Sequence, residues 1–170
     1  MDSDLRRLKS ICKWCNVGTK ILSVIIVMCM VASAILMVAV VFNPDILFEG
    51  SITIDGVEGV LTESQFLIYM TLLMFMLLVA LAIVMTLGSI FKSIYREYSP
   101  FIEENYRRFR RVAELVLLTL VFIPIRLTIG ESVDVLSDVI STLTVTVLIY
   151  VLALIFHYGQ YLQKESDETL

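Results

Sequence analysis

Charge is scarce in this chain: Asp, Glu, Lys and Arg make up 18% of its 170 residues, against 58% hydrophobic residues. That balance excludes an ordinary soluble globular domain, in which roughly a quarter of the residues are charged, and suits a chain whose solvent is largely lipid. Histidine occurs once, as His157, and cysteine three times, as Cys12, Cys15 and Cys29. Neither a Ser-His nor a Cys-His partnership can be assembled, and there is no His or acid cluster for a metal, which argues against an intramembrane enzyme. Three thiols give no even disulfide framework, and no structural disulfide is expected. The CKWC at 12–15 has the spacing of half a zinc site or of a redox pair. It lacks two further ligands and any surrounding thioredoxin-like strand pattern, so neither metal nor cofactor is expected; acylation of either thiol is a further reading.

Lys and Arg are also missing from one entire segment, 43–65, which instead carries Asp45, Glu49, Asp55, Glu58 and Glu63. Of the thirteen cations, five (Arg6, Arg7, Lys9, Lys13, Lys20) precede the first apolar run and six (Lys92, Arg96, Arg107, Arg108, Arg110, Arg111) fall between the second and third; Arg126 and Lys164 complete the set. By the positive-inside rule the segments 1–20 and 92–111 lie in the cytoplasm and 43–65 lies outside. Apolar runs at 21–42, 66–91, 112–129 and 139–156 are long enough to cross a bilayer. The expected fold is an all-α integral membrane protein of one domain, 1–170. It is a four-transmembrane-helix bundle in the cell membrane, with N and C termini cytoplasmic and an amphipathic cytoplasmic helix between spans two and three. A basic start, an apolar stretch from Ile21 and the small trio Ala32, Ser33, Ala34 imitate a signal peptide. Cleavage there would leave an apolar remnant, 35–42, so one uncharged span is the preferred reading.

In chain order, residues 2–20 alternate cations with Leu5, Leu8, Ile11, Cys12 and Cys15, a spacing that can lay an apolar stripe on the membrane surface with Trp14 at headgroup depth, although a positively charged topology anchor for the first span is enough to explain them. Asn43, Pro44 and Asp45 end the first span, and SITIDG at 51–56 reads as a short hairpin. The second span carries Met70, Met74, Met76 and Met85, read as packing. Ser99 and Pro100 predict a helix start, N-cap followed by first helical residue. Glu103 and Glu104 stand four residues before Arg107 and Arg108, the favourable order for pairing. Ile102, Tyr106, Phe109 and Ala113 share the opposite stripe. In the third span Pro124 predicts a kink, and Arg126 is expected to snorkel towards the outer acids Glu131, Asp134 and Asp138. In the fourth, Thr142, Thr146 and Tyr150 are expected to share a face and join helices by hydrogen bonds, within the chain or in a homo-oligomer. His157, Tyr158 and Tyr161 mark the cytoplasmic interface.

Residues 99–113, SPFIEENYRRFRRVA, with Pro100, Phe101, Glu104, Asn105 and Arg111, are similar to the "PFteeN…lr.i" loop of the small four-helix membrane family named domain of unknown function 2975. The tail at 156–170, FHYGQYLQKESDETL, resembles that family's closing "f..G..L.eE.D.T" signature through Gly159, Leu162, Glu165, Asp167, Thr169 and Leu170. The first half of the chain matches only in hydropathy. The resemblance implies a bacterial or archaeal membrane protein with no established activity, often encoded beside a small helix-turn-helix regulator.

Two functional classes follow. The first is a non-enzymatic regulatory or sensor protein that binds a cytoplasmic partner, such as a helix-turn-helix regulator. It would do so through Pro100, Phe101, Glu104, Asn105, Arg107, Arg108 and Arg111 of the loop and Gly159, Leu162, Glu165, Asp167 and Thr169 of the tail. Direct nucleic-acid binding is not expected, because a small basic patch beside anionic lipid is normally occupied by headgroups. The alternative is a small transporter or exporter subunit. It would need ionisable groups at mid-membrane, and spans one, two and four have none; Arg126, Thr142, Thr146 and Tyr150 are the intramembrane polar residues left to it.

Overall fold

The computed structural model describes residues 2–43, 63–96, 101–124 and 134–168. Among these all regular structure is helical: α1 (Asp2–Phe42), α2 (Glu63–Arg96), α3 (Glu103–Leu118), a 3₁₀ turn (Thr119–Val121) followed by helical residues 122–124, and α4 (Val135–Glu168). The acidic segment with its expected hairpin at 51–56 lies outside the described residues, as do Ser99, Pro100, Arg126, Glu131 and Thr169.

Three helices are long and apolar enough to cross a membrane, over Arg7–Phe42, Phe66–Arg96 and Val135–Ser166. α1 has 41 residues and α2 and α4 have 34 each. At 1.5 Å per residue these are roughly 61 Å and 51 Å long, well beyond a hydrocarbon core of about 30 Å. Each projects from the bilayer. Residues 2–20, read as a basic anchor for the first span with a surface-lying stripe as the alternative, continue that span in one unbroken helix. No proline or glycine pair interrupts the run between Asp2 and Phe42, so nothing forces the turn that a surface-lying segment needs.

Successive helices are antiparallel. Val40 near the end of α1 packs on Phe66 and Met70 near the start of α2, and Thr19 of α1 meets Gly88 of α2 at the other end. Leu72 and Val79 of α2 pack on Phe122, just past the 3₁₀ turn, with Leu115 of α3 against the same cluster, and the Phe75 and Phe122 rings lie 5.9 Å apart. α3 then pairs with α4. The start of α1, the end of α2, the start of α3 and the end of α4 therefore share one end of the molecule, the basic end.

Little of the apolar surface is covered by protein. In the most apolar window only 6% of α1 and of α4, and 11% of α2, is buried; lipid is the solvent in which such a surface is stable. Hydroxyls along the spans donate to their own helix four residues back: Ser33 to the Cys29 carbonyl at 2.9 Å, Thr71 to Leu67 at 2.8 Å and Thr86 to Ala82 at 2.7 Å. This satisfies the donor where no water can.

The expected third span, 112–129, is α-helical to Leu118, tightens into the 3₁₀ turn Thr119–Val121 and is α-helical again over 122–124. The Thr119 amide bonds to the Val116 carbonyl, three residues back, and its hydroxyl donates to the same oxygen at 2.6 Å. Pro124 has no amide hydrogen for the Leu120 carbonyl, and its ring would crowd that oxygen. The helix is thus tightened at 119–121, one turn before the proline.

Gly88 sets the α1–α2 approach: a Cβ there would lie 2.9 Å from Thr19 Oγ1 and 3.5 Å from Thr19 Cβ. Around Gly18 nothing lies within 4 Å. Gly88→Leu is expected to destabilise the protein by about 1–3 kcal/mol through overpacking, whereas Gly18→Ala should stabilise by about 0.5–1 kcal/mol through helix propensity. Thermal unfolding in detergent micelles checks the pair, and shifts of the same sign would contradict this packing.

Candidate functional site

The basic end holds the residues that the sequence singles out. α3 begins at Glu103, three residues later than Ser99 and Pro100 predict; Ile102 is the N-cap, with extended backbone (φ −109°, ψ 146°) and no side-chain cap. The delay has a cause in packing. Phe101 lies outside the helix and sets its ring on α4 at Gly159, where a Cβ would come 2.7 Å from Phe101 Cε1 and 2.9 Å from Cγ. The same ring lies 5.5 Å from that of Phe156. One turn of α3 later, Tyr106 stacks on His157 at 4.7 Å, and Phe109 meets Phe156 at 4.8 Å. Five aromatic side chains thus fasten the start of α3 to the end of α4, in tilted ring arrangements that add stability beyond area burial. His157 is a packing partner of this cluster.

Asn105 is fully buried, at 0% exposure, although the apolar stripe expected for α3 was Ile102, Tyr106, Phe109 and Ala113. Its amide is held by Arg108, whose Nη1 donates to Asn105 Oδ1 at 3.3 Å and to the Ser89 carbonyl of α2 at 3.2 Å. Arg108 Nη2 donates to Glu104 at 2.6 Å. One guanidinium therefore ties α3 to α2 while the aromatics tie it to α4. Buried polar atoms without a partner occur nearby, at Ser93 Oγ and Gln160 Oε1.

The other arginines are matched locally. Arg107 pairs with Glu103 at 2.5 Å and Arg110 with Glu114 at 3.0 Å, each four residues apart and exposed. The Arg110 guanidinium is pushed above its ordinary pKa by its hydrogen bond to Glu114 and by that charge, with Tyr106 adding to both effects; it stays cationic. Both glutamate pairs expected in the first turn, with Arg107 and with Arg108, are present. Arg111 is exposed and has no ion pair among the described residues. On the tail, Leu162, Tyr158 and Tyr161 are exposed, Lys164 reaches Glu168 at 3.8 Å, and Glu165 is also engaged. The side chain of Asp167 lies outside the described residues.

The polar residues of α4 within the span sit differently. Thr142 and Thr146 lie on the half-buried stripe, but Tyr150 is exposed, and the stripe continues through Ile149, Ala153 and Phe156. Eight residues advance about 80° past two full turns, whereas seven fall only about 20° short. The Thr146 hydroxyl donates to the Thr142 carbonyl at 2.8 Å and Thr144 to Ile140 at 2.7 Å, inside α4 and not across helices.

Among the described residues no three His, Cys, Asp or Glu side chains gather where a metal ion could be held, and the three cysteines are free thiols. Phe156 and Ser89 are the participants that the sequence pattern passed over. An aromatic residue three before a glycine at the end of a span was the one available signal for Phe156. No protein-family model, no curated protein and no solved structure matches the chain.

Gly159→Val is expected to displace Phe101 and speed amide hydrogen exchange over residues 101–110 at least tenfold, leaving exchange in α1 unchanged; unchanged protection in 101–110 would refute the contact. Arg108 and Arg107 make a second comparison, with side chains 22% and 71% exposed. Arg108→Ala should destabilise by about 1–3 kcal/mol, because the buried Asn105 amide loses its donor, and Arg107→Ala by less than about 0.5 kcal/mol. Chemical denaturation of the two variants in micelles measures the difference.

Proposed function

We propose that this is a non-enzymatic regulatory protein of the cell membrane that holds a cytoplasmic protein partner on the face built from the start of α3 and the end of α4. In this reading the chain spans the bilayer four times, with the segment after Leu118 completing the third crossing and both termini in the cytoplasm. Charge segregation supports the orientation, as does the antiparallel order that brings the start of α1 and the end of α4 to one end.

The observation that carries the proposal is the seat of Phe101 on Gly159. It joins the two segments through which the chain resembles the four-helix family into a single composite face. Exposed Tyr158, Tyr161 and Leu162 beside it supply the kind of aromatic and apolar anchors that dominate binding energy at protein interfaces. Arg107 and Arg110, held only by exposed ion pairs of small net stability, can exchange their glutamates for a partner's carboxylates, and Arg111 is available from the outset. A small helix-turn-helix regulator, the usual genomic neighbour in the resembled family, is the proposed partner.

The test is a crosslinking pull-down from native membranes. Wild type is compared with a variant carrying Arg107→Gln, Arg110→Gln and Arg111→Gln and lacking the last six residues; Arg108 is kept because it supports the fold. A small DNA-binding protein recovered with wild type and reduced at least tenfold with the variant is the expected result. Equal recovery by both, or no specific protein with either, would overturn the proposal.

A further inference from the structure

A groove of about 610 Å³ runs between α1 and α2 from the basic end towards the middle of the spans. Its walls are one stripe of each helix. On α1 the lining runs from Asn16 to Met28, and on α2 from Lys92 back to Leu81. These stretches are roughly 18 Å and 17 Å long, close to the depth of one leaflet of a hydrocarbon core about 30 Å thick. The polarity of the lining is graded. At the basic end stand Asn16, Lys20, Ser23, Ser89 and Lys92. Deeper in, the walls are Val24, Val27, Leu81, Val84 and Met85.

We propose that this groove is a binding site for an anionic glycerophospholipid, with one acyl chain along its apolar length and the headgroup phosphate between Lys20 and Lys92. Three observations select that occupant. Lys20 and Lys92 come from different helices and converge at one mouth, and neither has an ion pair among the described residues. Two ammonium groups there want an anion, and basic sites between helices at the membrane interface take phosphate headgroups. Asn16, only 7% exposed, lines the same end of the groove, and its amide can add a hydrogen bond to a headgroup held there. The gradient itself is that of an amphiphile one leaflet deep. A peptide helix in the same place would put its own backbone ends among apolar side chains, and a soluble anion would leave the deeper two thirds of the groove unfilled.

The site is separate from the α3–α4 face, so it stands or falls independently of the partner proposed above. Its test is native mass spectrometry of the full chain released from nanodiscs containing phosphatidylglycerol and phosphatidylcholine in equal amounts. Wild type is expected to retain one phosphatidylglycerol, preferred over phosphatidylcholine by roughly tenfold to thirtyfold, as two lysines near a headgroup provide. Lys20→Gln/Lys92→Gln should abolish the preference. Arg7→Gln/Lys13→Gln, two exposed cations of the same end outside the groove, should preserve it. Val27→Phe, which fills the apolar part and leaves both lysines in place, should reduce retention of either lipid. Equal retention of the two lipids by wild type would overturn the site. Equal losses in the two double variants would reassign the effect to diffuse surface charge, and a lipid-free dimer would give the groove to a second copy of the chain; both outcomes refute the proposal.

Discussion

Hydrocarbon offers a peptide group no hydrogen-bond partner, and this single constraint shapes most of the molecule. Within the three long helices every element must satisfy its own backbone, and the serine and threonine hydroxyls turn back to carbonyls four residues earlier in the same helix. Side chains there have little to distinguish protein from lipid. The polar tertiary contacts and most ring contacts gather at the basic end, where burial again carries a driving force, while apolar clusters join the helices at the opposite end and along the spans. The aromatic cluster of Phe101, Phe109 and Phe156, the Arg108 clamp and the fully buried Asn105 all lie within that zone.

What the sequence made legible was local. The apolar runs at 21–42, 66–91 and 139–156 fall inside α1, α2 and α4, because hydropathy is a property of a stretch and needs no knowledge of its neighbours. The Glu103–Arg107 and Glu104–Arg108 pairs were legible for the same reason, being fixed by helical spacing alone. Contacts between distant residues were not. Nothing around Phe101 announces that its ring needs Gly159, so the capping residues Ser99 and Pro100 pointed to a helix start that tertiary packing moves to Glu103. Tyr150 was misplaced by counting eight residues as two turns, and the continuity of α1 was hidden by a change in composition at Lys20 that is no change in backbone preference.

The distribution of charge reads differently in three dimensions. In sequence, four arginines within five residues look like an open basic patch. In the fold, three are matched by glutamates of the same helix and one of those three also holds two helices together. Among the described residues the cations without an ion pair are scattered by comparison: Arg7, Lys13 and Lys20 on α1, Lys92 and Arg96 on α2 and Arg111 on α3. Recognition at this end therefore depends on where unmatched charge meets apolar surface more than on the density of arginine.

The unbroken course of α1 has a mechanical consequence. A helix without a joint is a lever whose fulcrum is the membrane: the 19 residues from Asp2 to Lys20 extend roughly 28 Å beyond the uncharged span, so a change of about 10° in tilt sweeps their far end through about 5 Å. Tilt follows bilayer thickness. A tilt of that size would carry the α1 terminus several ångströms through water.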